Sequence, residues 1–217
     1  LEFRRVLFRS DLQQKFPMTA DAVVKKSFAD FYSVVRGSEV LFVKEDLSIL
    51  INGDVMDLRA NQSLTAALRN TARPKIQVGE LNLKDAIKIG NGNDVLYVFS
   101  DPDCPFCRQL ELEFDKLKDV TVYVFPFPIA GLHPNALATA ESIWCAPDQA
   151  AAWHGYLTQG KTPAAAKCAN PLDRNISAAG RYQLFGTPAL VFSDGFVIPG
   201  AVPASVITAQ IAASKKQ

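Results

Sequence analysis

Asp94-Val95-Leu96-Tyr97-Val98-Phe99-Ser100, then Asp101-Pro102-Asp103, then Cys104-Pro105-Phe106-Cys107, is the stretch that decides the fold. Its first seven residues form a near-continuous apolar run, the pattern of a strand buried on both faces. From Pro105 to Leu117, the residues Phe106, Leu110, Phe114 and Leu117 recur at spacings of four, four and three, which predicts an amphipathic helix. Val120 to Phe125 reads as a second buried strand, so the unit is strand, helix, strand. Cys104 then stands at the first turn of the helix, where unpaired N–H groups and the positive dipole end favour a thiolate. A low-pKa thiolate is both the attacking and the better leaving sulfur in thiol-disulfide exchange. The two intervening residues bring Cys107 one helical turn away, within disulfide reach, so it can resolve a mixed disulfide formed at Cys104. Pro105 suits the first turn because it lacks the N–H that would be orphaned there.

A Cys-X-X-Cys also binds zinc, but a structural zinc site needs two more ligands, usually at another short spacing. Here Cys145 and Cys168 are far apart in sequence and His133 and His154 stand alone, so no metal is expected. A purely structural disulfide at Cys104 and Cys107 is the other competing reading. Cys145 and Cys168 admit two readings. A bridge between them would close a loop of modest length and place the protein in an oxidising compartment. Two free buried cysteines would leave the pair without a reason.

Further along, helices are predicted from Pro134 to Trp144, Pro147 to Leu157 and Pro171 to Leu184, each with proline near its first turn. Ala189 to Phe192 and Phe196 to Ile198 flank Ser193-Asp194-Gly195 as a hairpin, and Pro203 to Ala213 reads as a terminal helix. Gly186-Thr187-Pro188 enters the Ala189 strand. A cis bond there would leave the preceding backbone open to pair with an extended peptide, although X-Pro bonds are mostly trans.

Toward the N-terminus the pattern changes. After a short helical pattern from Asp21 to Phe28 come β-branched and aromatic runs at Phe31 to Arg36, Glu39 to Val43, Ser48 to Ile51 and Val55 to Leu58. Gly37-Ser38, Glu45-Asp46 and Asn52-Gly53 punctuate them, and Asn-Gly is a strong hairpin signal. Residues 16–60 are therefore expected to form a small antiparallel domain. Such a unit buries little surface alone, so an edge strand is expected to pair with a second copy. Asn61 to Asn70 reads as a helix stopped by Pro74, and residues 61–93 as a linker helix and hinge, rich in Gly and Pro. Residues 1–15, beginning Leu1-Glu2-Phe3-Arg4-Arg5, fit poorly with the patterns of the rest of the chain and are set apart as a scar or disordered tail. Residues 94–217 make the second domain.

The balance of 23 Lys and Arg against 22 Asp and Glu leaves no basic excess to neutralise phosphates, so nucleic-acid binding has no electrostatic support. No run of eighteen apolar residues occurs, so no membrane span is expected. The opening residues lack the pattern of a signal peptide, which is expected to have been removed or never present. No cofactor is called for.

With Cys104-Pro105-Phe106-Cys107 after D-V-L-Y-V-F-S and G-T-P-A-L near the end, the second half looks like a thioredoxin-fold domain. From about Phe16 the chain resembles the DsbC/DsbG family of periplasmic disulfide isomerases. The resemblance is carried by F-Y-S-V-V-R-G-S-E-V-L-F-V, N-G-D-V-M-D-L, F-S-D-P-D-C-P-F-C, I-W-C-A and F-G-T-P-A-L-V-F-S-D-G-F-V-I-P-G. It implies an α+β N-terminal dimerisation domain, then a thioredoxin-fold α/β catalytic domain with a helical insertion, assembled as a V-shaped homodimer. It implies that Cys104 is the nucleophile and Cys107 the resolving thiol, with Thr187 and Pro188 as substrate-facing backbone after a cis bond. Cys145 and Cys168 match the family's structural disulfide. Implied partners are wrongly bonded or misfolded client proteins and a membrane-linked thiol reductant, in the periplasm.

Two departures bear on mechanism. Thioredoxins carry a buried acid on the strand six residues before the nucleophile, and Val98 occupies that position here. Asp101 and Asp103 are nearer but read as solvated loop or capping carboxylates. The Pro105-Phe106 pair differs from the family's Gly-Tyr and Pro-Tyr pairs, which leaves the redox potential open. A disulfide isomerase is thus the leading expectation, with a dithiol oxidase or reductase of the same fold, or a holdase chaperone, as alternatives. His133, His154, Trp144 and Trp153 are assigned to packing.

Overall fold

Residues 2–19, 21–36, 39–60, 62–72 and 75–215 are described in the structure, a computed structural model. The chain divides into two units, Leu1–Pro74 and Lys75–Gln217.

In the first unit, β1 (Val23–Lys26), β2 (Phe31–Arg36), β3 (Glu39–Lys44) and β4 (Leu50–Ile51) form an antiparallel sheet in that order. Side chains alternate across a strand, and β2 uses both faces. Tyr32 and Val34 pack with Val24, Val43, Phe8 and Leu12 on one side, and Val35 packs with Val40 and Phe42 on the other. Phe8 and Leu12 belong to helix α1 (Glu2–Lys15), and the Phe8 ring stacks on Tyr32 with centroids 4.3 Å apart. Residues 2–15 are therefore a helix, not the disordered tail expected. Phe8, Leu12 and Phe16 recur every fourth residue, the spacing of a buried helical stripe.

The segment expected to be helical from Asp21 to Phe28 is instead β1, paired through Val24↔Val34, because two adjacent valines suit a pleated sheet better than a helix turn. Asn52-Gly53 does not join two paired strands. β4 pairs with β3, whereas β5 (Met56–Asp57) pairs with β6 (Gln62–Ser63). The buried Thr65 hydroxyl settles the matter locally, accepting from the Val55 N–H at 2.9 Å and donating to the Gly53 carbonyl at 3.1 Å. The helix then runs as α2 (Leu64–Ala72), opened by the Ser63 hydroxyl accepting from the Ala66 N–H. The Gly37-Ser38 turn, Asn61 and Pro74 lie outside the described residues.

In the second unit β7 (Ile87–Ile89), β8 (Asp94–Ser100), β9 (Val120–Pro126), β10 (Ala189–Val191) and β11 (Val197–Pro199) form one sheet, in the order β11-β10-β8-β9-β7. β8 and β9 are parallel, joined by helix α3 (Pro105–Phe114), and the β7–β9, β8–β10 and β10–β11 pairs are antiparallel. α4 (Ala136–Trp144), α5 (Gln149–Gln159) and α6 (Leu172–Arg181) form the helical insertion, and α7 (Ala204–Ser214) closes the chain. Leu96, Val98, Leu110, Ile143, Trp153, Leu190 and Ile207 fill one side of the sheet, and Phe99, Phe125, Ala179 and Val191 fill the other.

This unit starts at Lys75, so the later part of the expected 61–93 linker is built into the sheet as β7, with Ile87 buried. Gly90 and Gly92, which suggest flexibility in the sequence, serve close approach instead. A Cβ at either would collide with the backbone of Asp119 and Val120. Among the described residues no helix is long and apolar enough to cross a membrane.

Candidate active site

β8 ends at Ser100, a short turn carries Asp101 and Asp103, and Cys104 takes the extended N-cap position of α3 with Pro105 at the first helical residue. Cys104 and Cys107 are both free thiols and both buried. As a thiol, Cys104 donates to the Thr187 carbonyl at 3.4 Å. The bond from Thr187 to Pro188 is cis, and the segment leads directly into β10, the neighbour of β8.

The two sulfurs are electrostatically unlike. A hydrogen bond from the Cys107 thiol, opposed by burial and aided by Thr187 and the backbone N–H groups of Cys107 and Phe106, pulls the Cys104 pKa down to about 5. Burial, and then the Cys104 sulfur, push Cys107 far up. The neighbouring thiol thus outweighs the helix start on which the sequence argument rests. Chemically, one sulfur is a thiolate at neutral pH and its partner stores a proton.

Asp101 is fully buried rather than solvated, which corrects the sequence expectation. Its Oδ1 accepts from the Asp103 N–H at 2.8 Å, and its Oδ2 accepts from the Ile129 N–H at 2.7 Å and lies 2.9 Å from His133 Nδ1. Its own N–H donates to Cys107 Sγ at 3.4 Å. Asp103 is half-buried and accepts from the Tyr156 hydroxyl at 2.6 Å. His133 therefore belongs to the site, although its sequence context suggests only packing. The available signal is topological: parallel β8 and β9 set the loops at their ends side by side. Val98 is a fully buried core side chain.

Phe106 and Phe185, two residues from Cys104 and from Thr187, are 57% and 84% exposed. Away from the thiols, Cys145 is joined to Cys168, tying the end of α4 to the loop before α6.

A dithiol in which one sulfur is ionised and the other protonated, at the head of the helix after the central strand of such a sheet, defines a thiol:disulfide interchange protein. Residues 81–215 match the model of the thioredoxin-like domain, and residues 7–66 match that of the disulfide bond isomerase protein N-terminal domain. The thiol:disulfide interchange protein DsbC of Escherichia coli (strain K12) is 30% identical over 182 residues, covering 81% of this chain and 74% of that protein. The probable thiol:disulfide interchange protein DsbC of Bordetella pertussis is 29% identical over 200 residues, covering 91% of this chain and 71% of its own length. A crystal structure of a disulfide interchange protein from Neisseria gonorrhoeae aligns with TM-score 0.60 and 43% identity, covering 62% of this chain and 99% of that one. The chain belongs to the DsbC family of thiol:disulfide interchange proteins.

Proposed function

We propose that the chain is a periplasmic protein disulfide isomerase in which Cys104 is the nucleophile and Cys107 the resolving thiol. The observation that carries this reading is the asymmetry of the dithiol, with a Cys104 thiolate beside Thr187 and a protonated Cys107 behind it. The Cys104 thiolate attacks one sulfur of a wrong client disulfide, forming a mixed disulfide and releasing the other client sulfur as a thiolate. A second client thiolate then attacks the mixed disulfide, forming a new client disulfide and regenerating the Cys104 thiolate with no net electron transfer. When no client thiol arrives, Cys107 attacks Cys104 instead and its proton leaves to solvent. The client is released reduced, and a membrane-linked dithiol reductant must return two electrons.

Thr187 and Pro188 present the backbone beside which an extended client segment lies. The Cys145–Cys168 bridge serves as a structural staple, and a persistent disulfide suits the oxidising periplasm. The first unit is a homodimerisation module. Its sheet has open edges at β1 and β4, with Val23, Ile49 and Leu50 exposed, and a second copy would cover them. Rescue of scrambled ribonuclease tests the whole reading. Wild type restores ribonuclease activity and Cys104→Ser does not; equal rescue by the variant sinks the proposal. A strongly oxidising Cys104/Cys107 potential against glutathione, together with poor rescue, would mark an oxidase instead.

A further inference from the structure

The loops after β8 and β9 meet through a carboxylate and an imidazole, and the contact leads back to the thiols. Asp101 is sealed from solvent, its N–H bonds Cys107 Sγ, and its Oδ2 holds His133 Nδ1 at 2.9 Å. The His133 side chain retains 21% of its surface. The imidazole is thus this network's outlet to water. With Nδ1–H directed at the carboxylate, Nε2 is the nitrogen left to bind a second proton.

We propose that Asp101 and His133 form a charge pair serving the dithiol: as an imidazolium His133 supports the Cys104 thiolate, and as a neutral ring it withdraws that support. The inference rests on Cys104 being the attacking sulfur. It gives the site a titrating group where Val98 supplies none.

Asp101 foremost, opposed by burial and then joined by the charges of Cys104 and Asp103, holds His133 above the ordinary histidine value. Asp103 is in turn bonded by Tyr156 of α5, over whose ring the Arg108 guanidinium stands at 5.4 Å. The loop that carries His133, Phe127 to Asn135, has no other titratable side chain. Because coupling is reciprocal, a thiolate that raises the proton affinity of His133 must have its own lowered by the same factor.

Reduction then balances in electrons and protons. Two electrons from a dithiol reductant open the Cys104–Cys107 disulfide. One proton goes to Cys107, Cys104 remains a thiolate, and a second proton goes to Nε2 when His133 starts neutral.

The chain has two histidines, so proton NMR of the reduced full-length protein resolves them readily. The proton affinity of His133 should fall at least threefold in Cys104→Ser relative to reduced wild type, while His154 stays put. Thiolate absorbance should show the proton affinity of Cys104 rising in His133→Asn by the same factor, within twofold. A smaller change in either titration, or unequal factors, overturns the inference. If His133→Asn does not fold, the Cys104→Ser arm decides alone, because it leaves the imidazole and its carboxylate in place. Ribonuclease rescue separates the two claims. Rescue retained by Cys104→Ser defeats the isomerase reading, whereas lost rescue with unmoved titrations defeats only the charge pair.

Discussion

Cys104 Sγ and the Thr187 carbonyl oxygen lie 3.4 Å apart although 83 residues separate them in sequence. This contact sets Cys104 beside the entry to β10, and the Cys107 thiol sets its charge. At pH 6, limiting iodoacetamide should therefore label Cys104 and spare Cys107, with a rate that is half-maximal near pH 5. Below that pH the thiolate is protonated and labelling slows. Because the Cys107 hydrogen bond is the largest cause, Cys107→Ala, which removes the donor, should move the midpoint up to about pH 6 and slow labelling at pH 5 several-fold. An unshifted midpoint would remove the assigned cause.

How much of the site is legible in the sequence depends on where the determining contacts lie. β8 and the start of α3 stand where Asp94–Ser100 and Pro105 place them, because a strand buried on both faces and a proline-opened helix are local patterns. Asp101 reads as solvated because its partners, Ile129 and His133, lie about thirty residues away, where no local spacing reveals them. β7 reads as linker because Gly90 and Gly92 look flexible, when they clear the backbone at Asp119 and Val120. The Phe8, Leu12 and Phe16 stripe is visible in the sequence, but the unusual residues around it hide its meaning until Tyr32 is seen against Phe8.

The Cys145–Cys168 bridge, with a sequence separation of 23, restrains the loop between α5 and α6. In the chain-entropy model such a loop corresponds to about 3 kcal/mol. The Cys145→Ala/Cys168→Ala double variant should lose about that much in urea unfolding, while Cys104 labelling at pH 6 stays at the wild-type rate. A slowed labelling rate would show that the bridge also shapes the dithiol.

Asn175 joins three segments of the second unit. Its buried amide donates to the Asp85 carbonyl at 3.0 Å and to the Pro126 carbonyl at 3.2 Å, linking α6 to the turn before β7 and to the end of β9. Arg174 beside it binds the Asp85 carboxylate through both Nε and Nη2. Asn175→Ala leaves two buried carbonyls unpaired and should cost about 2 kcal/mol by urea unfolding. A loss below about 0.5 kcal/mol would mean that the carbonyls find other donors.

Phe185 is 84% exposed two residues before Thr187, in sequence next to the backbone where the proposed client segment lies. If client segments lie along Thr187 and Pro188, part of that ring is buried in the encounter. Phe185→Ser should then raise KM for scrambled ribonuclease roughly tenfold, since partial burial of a phenylalanine is worth about 1–2 kcal/mol. The maximal rate and Cys104 labelling should not move. An unchanged KM would place the client elsewhere.

Glu111 lies one turn beyond Cys107 on the buried face of α3, with Oε2 accepting from Trp153 Nε1 at 3.1 Å and Oε1 lying 3.3 Å from His154 Nδ1. Burial, only partly offset by these two partners, holds its carboxyl above the ordinary glutamate value. An acid raised in the folded state favours folding fully below its unfolded value, and that contribution is lost as pH rises through the folded one. Glu111→Gln keeps an acceptor for Trp153 and removes the buried charge. It should match wild type at pH 4 and exceed it at pH 8 by about 1 kcal/mol in urea unfolding, flattening the stability profile between those limits. If wild type and variant instead lose stability in parallel from pH 4 to 8, the buried Glu111 charge is not the cause of that loss. Cys104 labelling is the control that separates stability from chemistry. Its pH midpoint should be the same in both proteins, because Glu111 bonds Trp153 and His154, whereas the thiols are bonded by Thr187 and the Asp101 N–H.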